Sequence, residues 1–210
     1  MIRGNASGRI EAKISDPLGR YSCMALRGTD GFGILIITAY RVCQKKGTRT
    51  GPDTSYMQQY EGLKEQGFTN PDPRNQLFED LTTLITEWTG RGYHPIVMGD
   101  LNTPPNDPEL VSFMDKNGLY DIIADSNEGP PPPTYSRGKH RLDYILGDGH
   151  TKRAATKSGA LGLHDGVLSD HTMQWVDFDI KLLFRNEMYD PTSPCERQFT
   201  LKNAMKKIKF

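Results

Sequence analysis

Eight consecutive residues, Gly33–Tyr40 (GILIITAY), are apolar or β-branched on both alternating faces. A strand of that kind has to lie inside a sheet, covered above and below, so the chain must build layers on both sides of it. The cover comes from helices. Asp72-Pro73 reads as an N-cap followed by proline at the first helical position, and Leu77, Phe78, Leu81, Leu84, Ile85 and Trp88 then recur at helical spacing up to Gly90. Ser55 with Gln58 forms a capping box ahead of Tyr56, Tyr60 and Leu63, with Gly67 as the stop. Asp107-Pro108 opens a further helix bearing Leu110, Val111, Phe113 and Met114, closed by Gly118.

Shorter segments read as strands: residues 9–14, 20–27, 94–99 (HPIVMG), 119–124, 140–146 and 171–180. Strands and helices mix without a regular βαβ alternation, which favours an α/β sandwich over a purely parallel sheet. Beyond residue 180 the pattern weakens into a linker at 190–194 and a short basic helix at 201–209.

Charge excludes one class of function. Lys and Arg total 26, as do Asp and Glu, so a protein held to nucleic acid by bulk positive charge is ruled out. From Lys181 onward, however, seven basic residues face three acidic ones, leaving residues 1–180 net acidic. Cys23, Cys43 and Cys195 lie far apart without a C-x-x-C pair, against a zinc knuckle or disulfide framework and in keeping with a reducing, intracellular setting. No apolar run nears the roughly 18–20 residues of a membrane helix, and the first twelve residues lack a signal-peptide core. A soluble, unsecreted protein with no membrane partner is expected.

Three polar groups fall at the ends of short apolar strands. Asp100-Leu101-Asn102 follows HPIVMG directly, where open α/β sheets place ligands; it also reads as an ordinary strand-end turn. Asp143 interrupts the apolar run RLDYIL, a costly position unless the carboxylate is paired. Its partner is either Arg141, on the same face, or a histidine that it orients. Ser169-Asp170-His171 opens the last core strand. Adjacent strand residues face opposite ways, so Asp143 from a neighbouring strand is a better partner for His171 than Asp170 is. His94, His140 and His164 read as structural or surface histidines, and Trp88 and Trp175 as core.

In this order, GDLN, RLDYIL and SDH resemble the second half of the endonuclease/exonuclease/phosphatase superfamily, with its deoxyribonuclease I-like fold. Thr38-Ala39-Tyr40 and Pro133-Thr134-Tyr135 are similar to two further segments of that family. The resemblance covers residues 9–180, and GRY (19–21), DPR (72–74) and SPCERQF (193–199) are similar to endonuclease domains of eukaryotic retroelements. The resemblance implies a four-layer α/β sandwich over residues 1–180 and a basic extension at 181–210. It also implies hydrolysis of DNA phosphodiesters with Mg²⁺ (Mn²⁺ as the alternative), in the nucleus, next to a reverse transcriptase in the same polyprotein. By the same resemblance, Asp100, Asn102, Asp143, His171 and Tyr40 are the catalytic set, and Asp100, Asn102 and Asp170 stand at the metal.

Two departures accompany it. The family's first strands, with a metal-side Asn and the Glu that is its main Mg²⁺ ligand, have no counterpart here, since Asn5 precedes any strand and Glu11 aligns later in the fold. An N-terminally shortened domain, impaired as a catalyst and with an unpaired sheet edge beside GILIITAY, is therefore expected. Arg41-Val42 also follows Tyr40 where many members carry x-Pro-Asn. A phosphatase of the same superfamily and a non-catalytic binding remnant are the alternative readings.

Overall fold

Strand β3 (Gly33–Tyr40) runs through the middle of a six-stranded sheet in the computed structural model, which describes residues 4–44, 51–126, 131–161 and 169–185. Its neighbours are β2 (Tyr21–Arg27), antiparallel, and β4 (Tyr93–Asp100), parallel. Beyond β2 lies β1 (Ile10–Ser15); beyond β4 come β6 (Asp143–Gly147) and β5 (Tyr120–Asp121), giving the order β1-β2-β3-β4-β6-β5. GILIITAY is thus hydrogen-bonded on both sides, and the expected unpaired edge beside it does not exist. The edge falls instead on β1, which alternates half-buried and exposed residues, a polar pattern that discourages further pairing.

Parallel strands need a crossover, and the one from β3 to β4 carries two helices, α1 (Ser55–Glu65) and α2 (Pro73–Thr89). The cap of α2 is Asp72, whose side chain accepts from the Arg74 N–H at 3.0 Å, as the sequence predicts. That of α1 is Thr54 rather than Ser55, its hydroxyl accepting from the Met57 N–H. Helix α3 (Pro108–Asn117) ends at Gly118, whose φ of 60° suits a glycine. The apolar stripe of α2 packs with Leu110 and Phe113 of α3 against Leu35, Ile37 and Ala39 on one face of the sheet.

The opposite face carries Ile34, Ile96 and Ile145 beneath Phe32, Ile122, Ile123, Leu183 and Phe184. Three short helices and a two-stranded ribbon build that layer: α4 (Ile122–Asp125), α5 (Gly149–Ala154), α6 (Ile180–Phe184), and β7 (Ala155–Ala160) paired with β8 (Gln174–Phe178). The architecture is the mixed α/β arrangement around a central sheet that the sequence indicates. Leu183 and Phe184 are buried, so domain packing runs past residue 180. The linker and basic helix expected further on lie outside the described residues, as does His164.

Several local expectations change. Residues 119–124 form two residues of strand and then helix α4, because the Asp121 carboxylate caps the Ala124 N–H. The strand expected over 171–180 shortens to β8, with His171 held by an isolated bridge to Tyr135. Trp175 is not core: it is 37% exposed on the ribbon, whereas Trp88 is buried as expected. Among the described residues, no helix is long and apolar enough to cross a membrane.

Candidate active site

Parallel pairing of β3 with β4 sets Tyr40 directly beside Asp100, and antiparallel pairing of β4 with β6 sets Asp100 beside Asp143. Three of the residues singled out by sequence therefore meet at one end of the sheet. His171 joins them from the segment before β8. Its Nδ1 lies 2.8 Å from an Asp143 carboxylate oxygen, and ligand atoms of Asp100, Asp143 and His171 all fall within 4.8 Å of one another.

Arg141 does not pair with Asp143; it forms its ion pair with Asp121, leaving Asp143 to the histidine. Thr134 explains the Pro-Thr-Tyr segment. Its hydroxyl accepts from the N–H groups of Leu142 (2.9 Å) and Asp143 (3.1 Å), and its carbonyl accepts from Thr172 N–H at 2.8 Å. One residue thus ties the Asp143 strand to the His171 segment. The Tyr135 ring lies against the imidazole at 5.1 Å, and Ser169 Oγ accepts from the His171 N–H at 3.0 Å.

The dyad sets the charge state of His171. Burial pulls its pKa down, but the hydrogen bond and negative charge of Asp143, helped by Asp100 and Asp170, hold it above its ordinary value. Asp100 moves the other way from a normal carboxylate. Burial raises its pKa, and the nearby Asp143 adds to the rise despite two hydrogen bonds from Asn102. Tyr40 is 42% exposed at the rim, and burial of its inner edge, helped by Cys43 and Asp100, keeps its phenol protonated.

Asn102 points inward. Its backbone N–H donates to Asp100 Oδ1 at 2.9 Å, and its amide nitrogen donates to Asp100 Oδ2 at 3.1 Å and to the Arg41 carbonyl at 2.7 Å. Both amide hydrogens are engaged, so in this arrangement Asn102 holds Asp100 rather than offering a donor to an anion. Asp170 is exposed and stands apart from the three-residue cluster; its carbonyl accepts from Ser136 N–H at 2.8 Å. His140 is exposed, and His94 pairs with Asp148 at 2.5 Å beneath the other face.

The donor set fits a hard divalent cation on the Asp100 side. Such ions take carboxylate and amide oxygens, and Mg²⁺ needs as few as one or two carboxylates. A cation there would also offset the burial and like charge that raise the Asp100 pKa.

Sequence reasoning missed the support beneath this site. Arg41 and Arg74, both buried, converge on the turn 101–103. Neither has a spacing signal, although DPR and the departure at Arg41 mark both positions.

Comparison with known proteins agrees with the architecture. The chain resembles the 3′ phosphatase NExo from Neisseria bound to a product DNA hairpin (17% identity, 78% of this chain and 66% of that one, TM-score 0.52). It also resembles the 3′-5′ exonuclease NExo from Neisseria meningitidis (20% identity, 81% and 69%, TM-score 0.50). A third likeness is to the AP endonuclease LMAP from Leishmania major (15% identity, 75% and 54%, TM-score 0.51). At these identities the likeness is one of fold, and the chain spans 66% of the first structure's length. No curated protein matches it in sequence. Residues 7–171 match the Endonuclease/Exonuclease/phosphatase family, and the chain belongs to that family.

Proposed function

We propose that this domain hydrolyses phosphodiester bonds of DNA with the help of Mg²⁺. The observation that carries the reading is the Asp143–His171 pair set beside Asp100 at the end of β4. Bound to Asp100 and the side-chain oxygen of Asn102, with Asp170 at the rim, Mg²⁺ would neutralise charge on the phosphoryl group.

The remaining work belongs to the chain's own residues. Asp100, held in place by Asn102, orients a water and accepts its proton. His171, protonated through Asp143, donates to a phosphoryl oxygen as negative charge builds. Tyr40, with its phenol protonated, donates from the opposite rim. Asn102 keeps Asp100 in register.

DNA is favoured over a small phosphate ester because one structural neighbour holds a DNA hairpin and another is an AP endonuclease. The GRY, DPR and SPCERQF segments support a retroelement origin, with a reverse transcriptase in the same polyprotein and action in the nucleus. Plasmid nicking in Mg²⁺ and in EDTA tests the reading, with a small phosphomonoester assayed beside it. Nicking that needs metal and is lost in Asp100→Ala supports it. Turnover of the monoester alone would assign the site to a phosphatase, and neither activity would leave a binding remnant.

A further inference from the structure

Asn102 adopts φ of 46°, a left-handed backbone uncommon outside glycine though asparagine tolerates it best, and its surroundings hold it there. Those surroundings are two buried arginines. Arg41 is wholly buried over the Phe78 ring and pairs with Glu109; its Nη1 donates to Thr103 Oγ1 and its Nε to the Arg74 carbonyl. Arg74 is different. Among the described residues it makes no ion pair, and its guanidinium donates only to neutral acceptors: Val42 O, Asn102 O at 3.1 Å and Thr103 Oγ1 at 3.1 Å.

A buried guanidinium without a carboxylate is costly, so one is retained only where its hydrogen bonds fix something. Here they fix the turn itself. The Asn102 carbonyl is held by Arg74, its side chain by the Arg41 carbonyl, and its N–H and amide grip both oxygens of Asp100. Thr103 completes the clamp, its hydroxyl accepting from both arginines while donating to Leu101 O at 2.6 Å. Arginine's planar fork spreads these donors over two nitrogens in a fixed geometry, which the compact ammonium of lysine cannot reproduce.

Resting on the hydrolase reading above, we propose that Arg74 is a positioning residue: it locks the left-handed Asn102 turn and thereby aims the Asp100 carboxylate. It touches neither substrate nor reacting atoms.

The experiment uses the full chain and Arg74→Lys, with supercoiled plasmid and bis(4-nitrophenyl) phosphate as probes in Mg²⁺. Expected is a fall in kcat of about 10- to 100-fold with KM little changed, the scale of misplacing a reacting group by about 1 Å. In an Asp100→Ala background the same change should add less than about twofold, because both act through one carboxylate. Independently of turnover, amide exchange at Asn102 should quicken while Leu35 and Ile37 in β3 stay protected. Should Arg74→Lys fail to fold, Thr103→Val, which removes the shared acceptor, carries the same readouts, with Thr103→Ser as its near-normal control. Full kcat, multiplicative losses or a uniform loss of protection would overturn the proposal. If the parent protein hydrolyses neither probe, the hydrolase reading fails, and exchange at Asn102 still decides whether Arg74 locks the turn.

Discussion

Gly99 lies so close to Ala39 across the β3–β4 pair that a Cβ would fall 1.9 Å from the Ala39 carbonyl oxygen, and its φ is +143°. No side chain fits, and no L-residue adopts that backbone without strain. The glycine of GDLN thus lets β4 press against β3 just before Asp100, which brings Asp100 level with Tyr40. Gly99→Ala should cost at least about 2 kcal/mol from combined overpacking and backbone strain. In a chain of this size that is a fall in melting temperature of about 4–8 °C, read by calorimetry. Nicking should fall by more than the folded fraction does, because the strain lies beside the reactive carboxylate.

The Asp143–His171 contact carries the next expectation. His171 binds its proton more tightly than the ordinary 6.5 because Asp143 outweighs burial. Asp143→Asn keeps the shape and removes the charge, so the imidazolium should deprotonate at lower pH. The alkaline limb of the activity profile should move to lower pH, and kcat at neutral pH should fall by at least about 10²-fold. His171→Ala should lose as much. His94→Ala should leave kcat near normal, since His94 pairs with Asp148 away from the site. An unmoved His171 titration by NMR in Asp143→Asn would count against the dyad.

The parts legible in the sequence were those whose physics is local. GILIITAY announces an interior strand because both of its faces are apolar, and α2 announces itself through Asp72-Pro73 and a six-residue stripe. Asp143 was legible for a similar reason: a carboxylate in an apolar strand needs a partner, and strand alternation favoured it over Asp170 as the partner of His171. The rest depended on contacts between distant segments. Nothing near Arg41 or Arg74 indicates that two guanidinium groups meet over Thr103. Ile122–Asp125 is too short for its apolar run to tell strand from helix, and the Asp121 cap decides it. Trp175 was misread because an aromatic in a strand suggests core, whereas a two-stranded ribbon buries only one of its faces.

Beneath the other face of the sheet, His94, His150 and Phe32 form a ring cluster with centroids 4.4–4.7 Å apart. Asp148 holds it to α5 by accepting from His94 and from the N–H groups of His150 and Thr151. Burial depresses the His150 pKa below its ordinary value, whereas hydrogen bonds from His94 and Thr151 depress that of Asp148 against the opposing effect of burial. Both shifts have the same consequence. The unfolded chain binds protons more readily than the folded one below pH 6.5 for the histidine, and again below 3.8 for the aspartate. The contribution of this cluster to stability should therefore be full above pH 6.5 and decline in two stages as pH falls, whereas that of His171, whose pKa is raised, is full below 6.5 and is lost as pH rises. His150→Phe should flatten the first stage and leave the second, as followed by urea unfolding at a series of pH values.

The last expectation concerns the metal. Of the carboxylates near His171, Asp143 is engaged with the imidazole and Asp170 is exposed, so on the function proposed above Asp100 would be the principal oxygen ligand. Mg²⁺ dehydrates reluctantly, and a site with one committed carboxylate binds it weakly until substrate phosphate adds its own oxygens. Calorimetric titration of the free protein with Mg²⁺ should accordingly show weak binding that tightens when a non-hydrolysable phosphodiester is present. Asp100→Asn should abolish the heat, Asp170→Asn should diminish it, and Asp143→Asn should leave it nearly unchanged. Binding should also appear as stability, about 2.7 kcal/mol when Mg²⁺ exceeds its Kd a hundredfold. Tight binding in the free protein that survives Asp100→Asn would place the cation elsewhere and separate it from the dyad.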